Sequence, residues 1–320
     1  MRTLRADLHV HSYHSLQSGS LRFLKSRDCY SRPEDVYRAA KDRGMDFVTI
    51  TDHDSIGGCL EYLDRNPDSR DFFISEEVSC RLPQGDVEVH IGVYGMDERL
   101  HRELQPLRHN VFEVTARLRE SGTFFTLNHL LHFYRRQLPL DAYLRLLDEV
   151  PGLEARNGAM IPEHNALIEW VATRWAGASR FARIGGSDAH TLRRVGRTWT
   201  EVPLGEGVAD IEGFLASLHE GRSRPAGAHG GTASVAGDAY GVVARYYASL
   251  LGVGPRDHRA LRRAGCLAFA LLVLPSQFLP LAIVAAGKRR ETREVRRARH
   301  EMSRWLERPA ESIQPAETQA

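Results

Sequence analysis

An α/β chain built from parallel βα units, closed as a barrel or laid out as an open doubly wound sheet, is the architecture the sequence predicts. Three observations carry it. Short β-branched or apolar runs alternate with helical stretches, about seven times over, through the first two thirds of the chain. Metal-competent side chains recur at the ends of those runs, where barrels of this class build their sites. The composition, 42% hydrophobic and 26% charged over 320 residues, fits a folded chain with a large core and neither a disordered nor a fibrous one.

Leu4 to Val10 reads as the first strand and carries Asp7-Leu8-His9-Val10-His11. On an extended strand residues i and i+2 share a face, so His9 and His11 can present their nitrogens to one point, such as a metal ion. Ser12 to Tyr30 is a long polar loop. Ser31-Arg32-Pro33-Glu34 has the form of a capping box, and the helix it opens, Pro33 to Arg43, stops at Gly44. The β-branched run Asp46 to Thr51 gives a second strand that ends at Asp52-His53-Asp54. Further strands are expected at Phe72 to Val78, Val87 to Tyr94, Thr123 to Leu127, Leu153 to Arg156 and Phe181 to Ile184. Helices fit Leu107 to Glu120, Leu140 to Glu149, Glu163 to Trp175 and Ile211 to Glu220.

From Arg222 to Gly237 the chain turns rich in Gly, Ala, Ser and Arg, the mark of a linker or wrapping loop. The expected division is a barrel over 1–225, a linker and helical segment over 226–263, an apolar and then a charged segment over 264–307, and a disordered tail over 308–320. Ala264 to Gly287 is almost wholly apolar, broken by Pro275 and Pro280, and flanked by Arg262, Arg263, Lys288, Arg289 and Arg290. It is long enough to span a bilayer, and it equally suits an interfacial hairpin or a buried helical pair packed on the barrel or a second subunit. Glu291 to Leu306 follows as a highly charged helix.

The net charge of +2 argues against a general nucleic-acid binder, although basic residues collect after Pro255. Cys29, Cys59, Cys80 and Cys266 are scattered without a Cys-x-x-Cys pair and read as reduced thiols. With no apolar signal-peptide core in Met1 to Val10, a cytoplasmic location is expected, with attachment to the cytoplasmic face of a membrane through 264–287 as the variant. The sequence leaves oligomerisation open.

The residues at the predicted strand ends form one set: His9, His11, His53, Glu77, His90, His129, Asp188 and His190. Each alone has an ordinary structural explanation; their joint recurrence at successive strand ends is hard to attribute to chance. The runs Asp7-Leu8-His9-Val10-His11-Ser12, Thr51-Asp52-His53-Asp54, Ser75-Glu76-Glu77-Val78, the His90 strand, Asn128-His129 and Gly186-Ser187-Asp188-Ala189-His190 resemble the successive motifs of the PHP (polymerase and histidinol phosphatase) superfamily, over roughly Leu4 to Glu220. The resemblance implies a distorted (β/α)7 TIM-like barrel, here with an added C-terminal helical segment. It also implies a two- or three-metal site that hydrolyses phosphate esters of small molecules, with those eight residues as ligands. Glu77 is preferred to Glu76 by its place in the motif.

One position departs from the pattern. The family has an Asp or His shortly after the first motif, whereas Ser15 is followed here by Leu16 and Gln17. Either His14 takes that place or the third metal is weaker or absent.

The implied chemistry is direct: paired ions about 3.5–4 Å apart bridge and acidify a water and clamp the phosphate oxygens during in-line attack. So many imidazoles favour Zn, Mn or Fe over Mg. Asp52 and Asp54 flank His53 and are candidates for fixing its tautomer or moving a proton, the plainer alternative being helix capping. Candidate phosphate-binding arginines are Arg22, Arg27, Arg156, Arg193, Arg194 and Arg197, with Arg193 and Arg194 favoured by their closeness to His190. Glu154 and Asn157 resemble the family's sixth-strand segment and read as barrel supports. An amidohydrolase-like barrel bridged by a carboxylated lysine is excluded, since no lysine lies between Lys41 and Lys288. The alternative function is a catalytically weakened, metal-holding module that acts in binding or regulation.

Overall fold

Two sheets meet at the N-terminal strand. The computed structural model describes residues 2–15, 27–83, 87–131, 140–175, 181–205, 210–253, 263–268 and 279–306. In it β1 (Thr3–Ala6) pairs antiparallel with β8 (Thr198–Pro203), and β8 with β9 (Arg224–Gly227). The larger sheet sets β2 (Val48–Ile50), β3 (Phe72–Leu82), β4 (Val87–Tyr94), β5 (Phe124–Leu127), β6 (Gly152–Asn157) and β7 (Ala182–Gly186) side by side in chain order. Single parallel bridges from Ala6 to Phe47 and from Val10 to Ala189 tie the N-terminal segment to both margins of this sheet, which therefore curls around it. β2 and β5 are buried at every residue, so they read as unbroken apolar-rich runs.

The pairing is not uniformly parallel, as an unbroken βα alternation would require. β2–β3, β5–β6 and β6–β7 are parallel, but β3–β4 and β4–β5 are antiparallel. Only four residues, 83–86, separate β3 from β4, too few for the crossover of about a dozen that a parallel neighbour needs.

The helices follow in order: α1 (Pro33–Asp42), α2 (Gly57–Arg65), α3 (Glu98–Leu104), α4 (Val111–Ser121), α5 (Leu140–Glu149), α6 (Pro162–Trp175), α7 (Ile211–His219), α8 (Thr232–Leu250) and α9 (Leu279–Leu306). Pro33 occupies the first turn of α1 and Gly44, at φ +78°, follows its end, both as expected. The capping box does not form. The cap is Arg32 with no side-chain bond, and Glu34 instead accepts from Asn66 Nδ2 at 3.1 Å and pairs with Arg38. α4 starts at Val111 and not at Leu107, because the Asn110 side chain accepts from the Phe112 amide and caps it there.

β8 and β9 lie beyond the strands the sequence pattern suggested. β9 and the start of α8 fall inside the Gly/Ala/Ser/Arg-rich stretch read as a linker, and Pro225 is tolerated because β9 is a sheet edge. The apolar and charged C-terminal segments also join differently. Leu279 to Leu306 is one helix, with Pro280 in its first turn, and Val295, Ala298 and Met302 enter the same core as Val78 and Ile91 of the sheet and Leu146 of α5. Their spacing of three and four residues is that of one helix face. Among the described residues no helix is long and apolar enough to cross a membrane. Residues 269–278, inside the apolar stretch, and 308–320 lie outside those described.

Candidate metal centre

The short run after β1 is held on both sides. The Thr51 amide donates to the Val10 carbonyl at 2.8 Å, and the His11 amide to the Ala189 carbonyl at 3.1 Å. Asp7 locks this run to the end of β7: its carboxylate accepts from the Ser187 amide at 2.8 Å and the Gly196 amide at 2.6 Å. Gly186 is required here, since a Cβ on it would sit 2.2 Å from the Cβ of His9.

Around that run the sheet gathers six of the eight predicted ligands into a ring and its hub. The rings of His9, His11, His53, His90 and His129 close on themselves, with successive centroids 5.1, 4.6, 5.0, 5.1 and 5.6 Å apart. Glu77 lies at their centre, fully buried. Its Oε2 is 3.0 Å from His9 Nε2, 3.5 Å from His11 Nε2 and 3.2 Å from His53 Nδ1. Its Oε1 is 3.2 Å from His90 Nδ1, 3.1 Å from His129 Nε2 and 3.1 Å from Asn128 Nδ2. Glu76, next along β3, faces the other way and accepts from His101 and Gln105, so strand alternation selects Glu77.

The other two predicted ligands flank the ring. Asp188 Oδ1 is 3.6 Å from His9 Nε2, 3.5 Å from His11 Nε2 and 3.7 Å from His190 Nδ1. The His190 ring stacks beside His11 at 4.4 Å and is the most exposed of the set. Among the described residues the only non-glycine positions with positive φ are Asp54, His129 and Asp188, two of them in the cluster and one beside it.

Protonation follows burial and charge. Burial pushes Glu77 up, but the surrounding imidazoles outweigh it and hold its carboxyl well below the usual range. Burial lowers His11 and carries His53 well below its ordinary value, leaving both rings neutral, the form that binds metal. His9 goes the other way: burial opposes its charge, but Glu77, Glu154 and Asp188 together raise it well above the ordinary value.

The donor set fits a divalent ion. A carboxylate offers about four lone-pair directions, whereas six side-chain nitrogens converge on that of Glu77. His11 Nε2 and His53 Nδ1 are buried without a hydrogen-bond partner among the described residues. The combinations His9–His11–Glu77, His53–Glu77–His90, His11–His53–His190 and His9–His129–Glu154 each bring donor atoms within 4.8 Å of one another.

Glu154 carries more of this site than the sequence suggested. Its Oε1 is 2.8 Å from His9 Nδ1, and its Oε2 accepts from the His129 amide at 3.0 Å and Asn157 Nδ2 at 2.9 Å. Asn157 Nδ2 also lies 3.2 Å from Asp188 Oδ2. Asp28 was not anticipated: it accepts from Ser15 Oγ at 3.0 Å and lies 4.0 Å from His190 Nε2. No local pattern marks it, because the loop alone brings it there.

Other candidates sit elsewhere. Asp52 is bound to Ser12, with 2.5 Å to its amide and 2.6 Å to its hydroxyl, and burial pushes its pKa up to about 7. Asp54 accepts from the Ser79 amide at 2.8 Å and pairs with Arg108 at 2.5 Å. Both are held by those partners, and the ring of His53 is instead engaged by Glu77. His14, weighed as a substitute at the Leu16 position, pairs with Glu61 at 2.6 Å. The Arg27 guanidinium donates to the Tyr13 carbonyl and lies over the Tyr13 ring. Arg194 is buried, donating to the Gly158 carbonyl and pairing with Asp238 at 3.2 Å, so it braces the fold and is not a phosphate clamp. Arg156 is turned to the Gly227 carbonyl and Glu169. Arg193 is exposed and lines a cavity beside His190. Leu16 and Arg22 lie outside the described residues.

Residues 170–223, from the end of α6 to the edge of β9, match a family model described as PHP-associated. That match covers about a sixth of the chain and leaves the strands that carry the imidazole ring outside it. An uncharacterized protein of Methanocaldococcus jannaschii is 38% identical over 58 residues, 18% of this chain and about a third, 33%, of that relative's length. Among solved structures, PsfC from Pseudomonas syringae PB-5123 is 17% identical, with 77% of this chain and 97% of that chain covered at a TM-score of 0.50. A Bifidobacterium adolescentis protein assigned provisionally as a metal-dependent phosphoesterase is 17% identical, with 68% and 96% covered at a TM-score of 0.44. The first of these two likenesses speaks to the fold alone.

Proposed function

We propose that this chain is a metal-dependent phosphoesterase that hydrolyses a phosphate monoester of a small molecule using Zn, Mn or Fe. The observation that carries the reading is the ring of five imidazoles around Glu77, more donors than one carboxylate can satisfy. His9, His11, Asp188 and Glu77 would hold one ion, and His53, His90, His129 and Glu77 a second, with the carboxylate of Glu77 shared. His190 and Asp28, beside His11 and His53, are the groups for a third. When bound, such ions neutralise phosphate oxygens and acidify a water.

The chain's own groups prepare that chemistry. Glu154 takes His9 Nδ1 and leaves Nε2 facing the centre, which sets the ring's tautomer and orientation. Asn157 holds Asp188 against the His9–His11 pair. Burial keeps His11 and His53 unprotonated, so no proton must leave before they coordinate. His190 borders the cavity that Arg193 lines, so a guanidinium stands beside the centre.

The test is phosphate release from an aryl phosphate by purified protein loaded with Mn, Zn or Mg, with metal content measured in parallel. Release that His9→Ala abolishes together with bound metal is expected. Release that survives His9→Ala refutes the site, and bound metal with no release under any ion points to the metal-holding binding module.

A further inference from the structure

Beside His190 the turn 190–193, the segment from Tyr30 to Asp35 and α8 line a cavity of about 300 Å³. His190 is the one member of the imidazole cluster that borders it, so the cavity adjoins the centre as a separate compartment. Two arginines line it, Arg193 from the turn after His190 and Arg245 from α8. Both are exposed, and among the described residues neither pairs with a carboxylate within 4 Å. Asp35, the acidic group on the rim, is 3.7 Å from Arg38.

The cavity exists because α8 presents glycines to it. A Cβ on Gly237 would lie 3.4 Å from Arg193 Nη2, and one on Gly241 3.0 Å from Thr191 Cγ2. These positions, four apart, share one helix face. The wall is fixed in place: Thr191 Oγ1 donates to Asp238 at 2.7 Å, and Arg194 pairs with the other oxygen of the same carboxylate. A compartment lined by two guanidinium groups with no carboxylate within 4 Å among the described residues, set against a phosphate-cleaving centre, selects for charge on the part of the substrate that is not being cleaved.

We infer that the substrate's leaving group carries a second anionic group, carboxylate or phosphate, which Arg193 and Arg245 bind in this cavity; the inference rests on the phosphoesterase reading. α8 is then part of the specificity apparatus. A leaving group that is neutral or cationic at that position forgoes the interaction or is repelled.

The experiment uses the full Mn-loaded chain and two matched pairs: 3-phosphoglycerate against glycerol 3-phosphate, and fructose 1,6-bisphosphate against fructose 6-phosphate. In at least one pair the member with the second anion is expected to show kcat/KM higher by about tenfold, chiefly through KM, as a charge-assisted contact provides. Which pair responds distinguishes carboxylate from phosphate. Arg245→Gln is expected to bring the ratio to about one, and Arg245→Lys to restore most of it. Equal kcat/KM within both pairs for the unaltered chain, or a preference that Arg245→Gln leaves in place, overturns the inference. If no phosphate is released, thermal shifts by the same four compounds decide it. Stabilisation by the members with the second anionic group that depends on Arg245 supports the subsite while the hydrolytic reading fails, and its absence overturns the subsite as well.

Discussion

Two glutamates, one fully buried and one partly buried, each reached by histidine, stand in different relations to their neighbours. Glu291 on α9 accepts from the Ile161 amide at 2.9 Å, from His164 Nδ1 at 3.1 Å and from Lys288 Nζ at 2.6 Å. Every donor there has its acceptor, and the cluster fastens α9 to the start of α6. Burial lowers His164, so that ring donates as a neutral group and Lys288 supplies the compensating charge. Glu77 faces five imidazoles with no lysine or arginine among its contacts, and at least two ring nitrogens around it lack a hydrogen-bond partner among the described residues. A saturated polar cluster in a core is a strut, whereas an oversubscribed one is a place for something the chain does not itself supply.

The sharpest way to break this contrast is to neutralise each carboxylate in turn. Glu77→Gln is expected to lower phosphate release by several kcal/mol of transition-state stabilisation, on the order of 10³-fold, together with loss of metal stoichiometry by elemental analysis. Unchanged metal content and turnover would make Glu77 a strut as well. Glu154→Gln removes only the orientation of His9, so metal affinity measured by chelator competition should fall by about 10–100-fold. An effect as large as that of Glu77→Gln would make Glu154 a direct ligand.

Glu291→Gln should leave phosphate release alone and cost about 1–3 kcal/mol in urea unfolding, since buried donors lose a charged acceptor. Loss of activity without loss of stability would couple α9 to the centre and undo the distinction. The smallest effect is in pH. Burial opposes ionisation of Glu291, but His164 and Lys288 overcome it and hold its pKa at about 2 against an ordinary 4.5. A depressed folded-state value means that the contribution is complete above about 4.5 and is lost as pH falls towards 2. The stability gap between the unaltered chain and Glu291→Gln should therefore shrink between pH 5 and pH 3 by circular dichroism, and a gap that widens on acidification would contradict the assignment.

Much of the element order was legible because local patterning encodes it. Leu140 to Glu149 and Val87 to Tyr94 form over the residues that their periodicity marks, and Pro33 and Gly44 bracket α1. The antiparallel placement of β4 was legible too in hindsight, from the short span between Leu82 and Val87, but alternation alone pointed to parallel units. β8 and β9 were missed because both are short and lack the apolar alternation that marks a strand.

For the site, the sequence by itself determined which side chains were available: five histidines, one glutamate and the Asp188–His190 pair. Tertiary structure alone decided their relations. Sheet register turned Glu77 inward and Glu76 outward, closure of the sheet on the N-terminal run made a ring of rings distant in sequence, and a loop brought Asp28 to His190. It also took Asp52, Asp54, Arg27 and Arg194 away from the roles their positions suggested, because each found a nearer partner. The reason is physical: a residue's type and its strand face are local properties, whereas which charge it meets depends on contacts between segments that are separate in sequence.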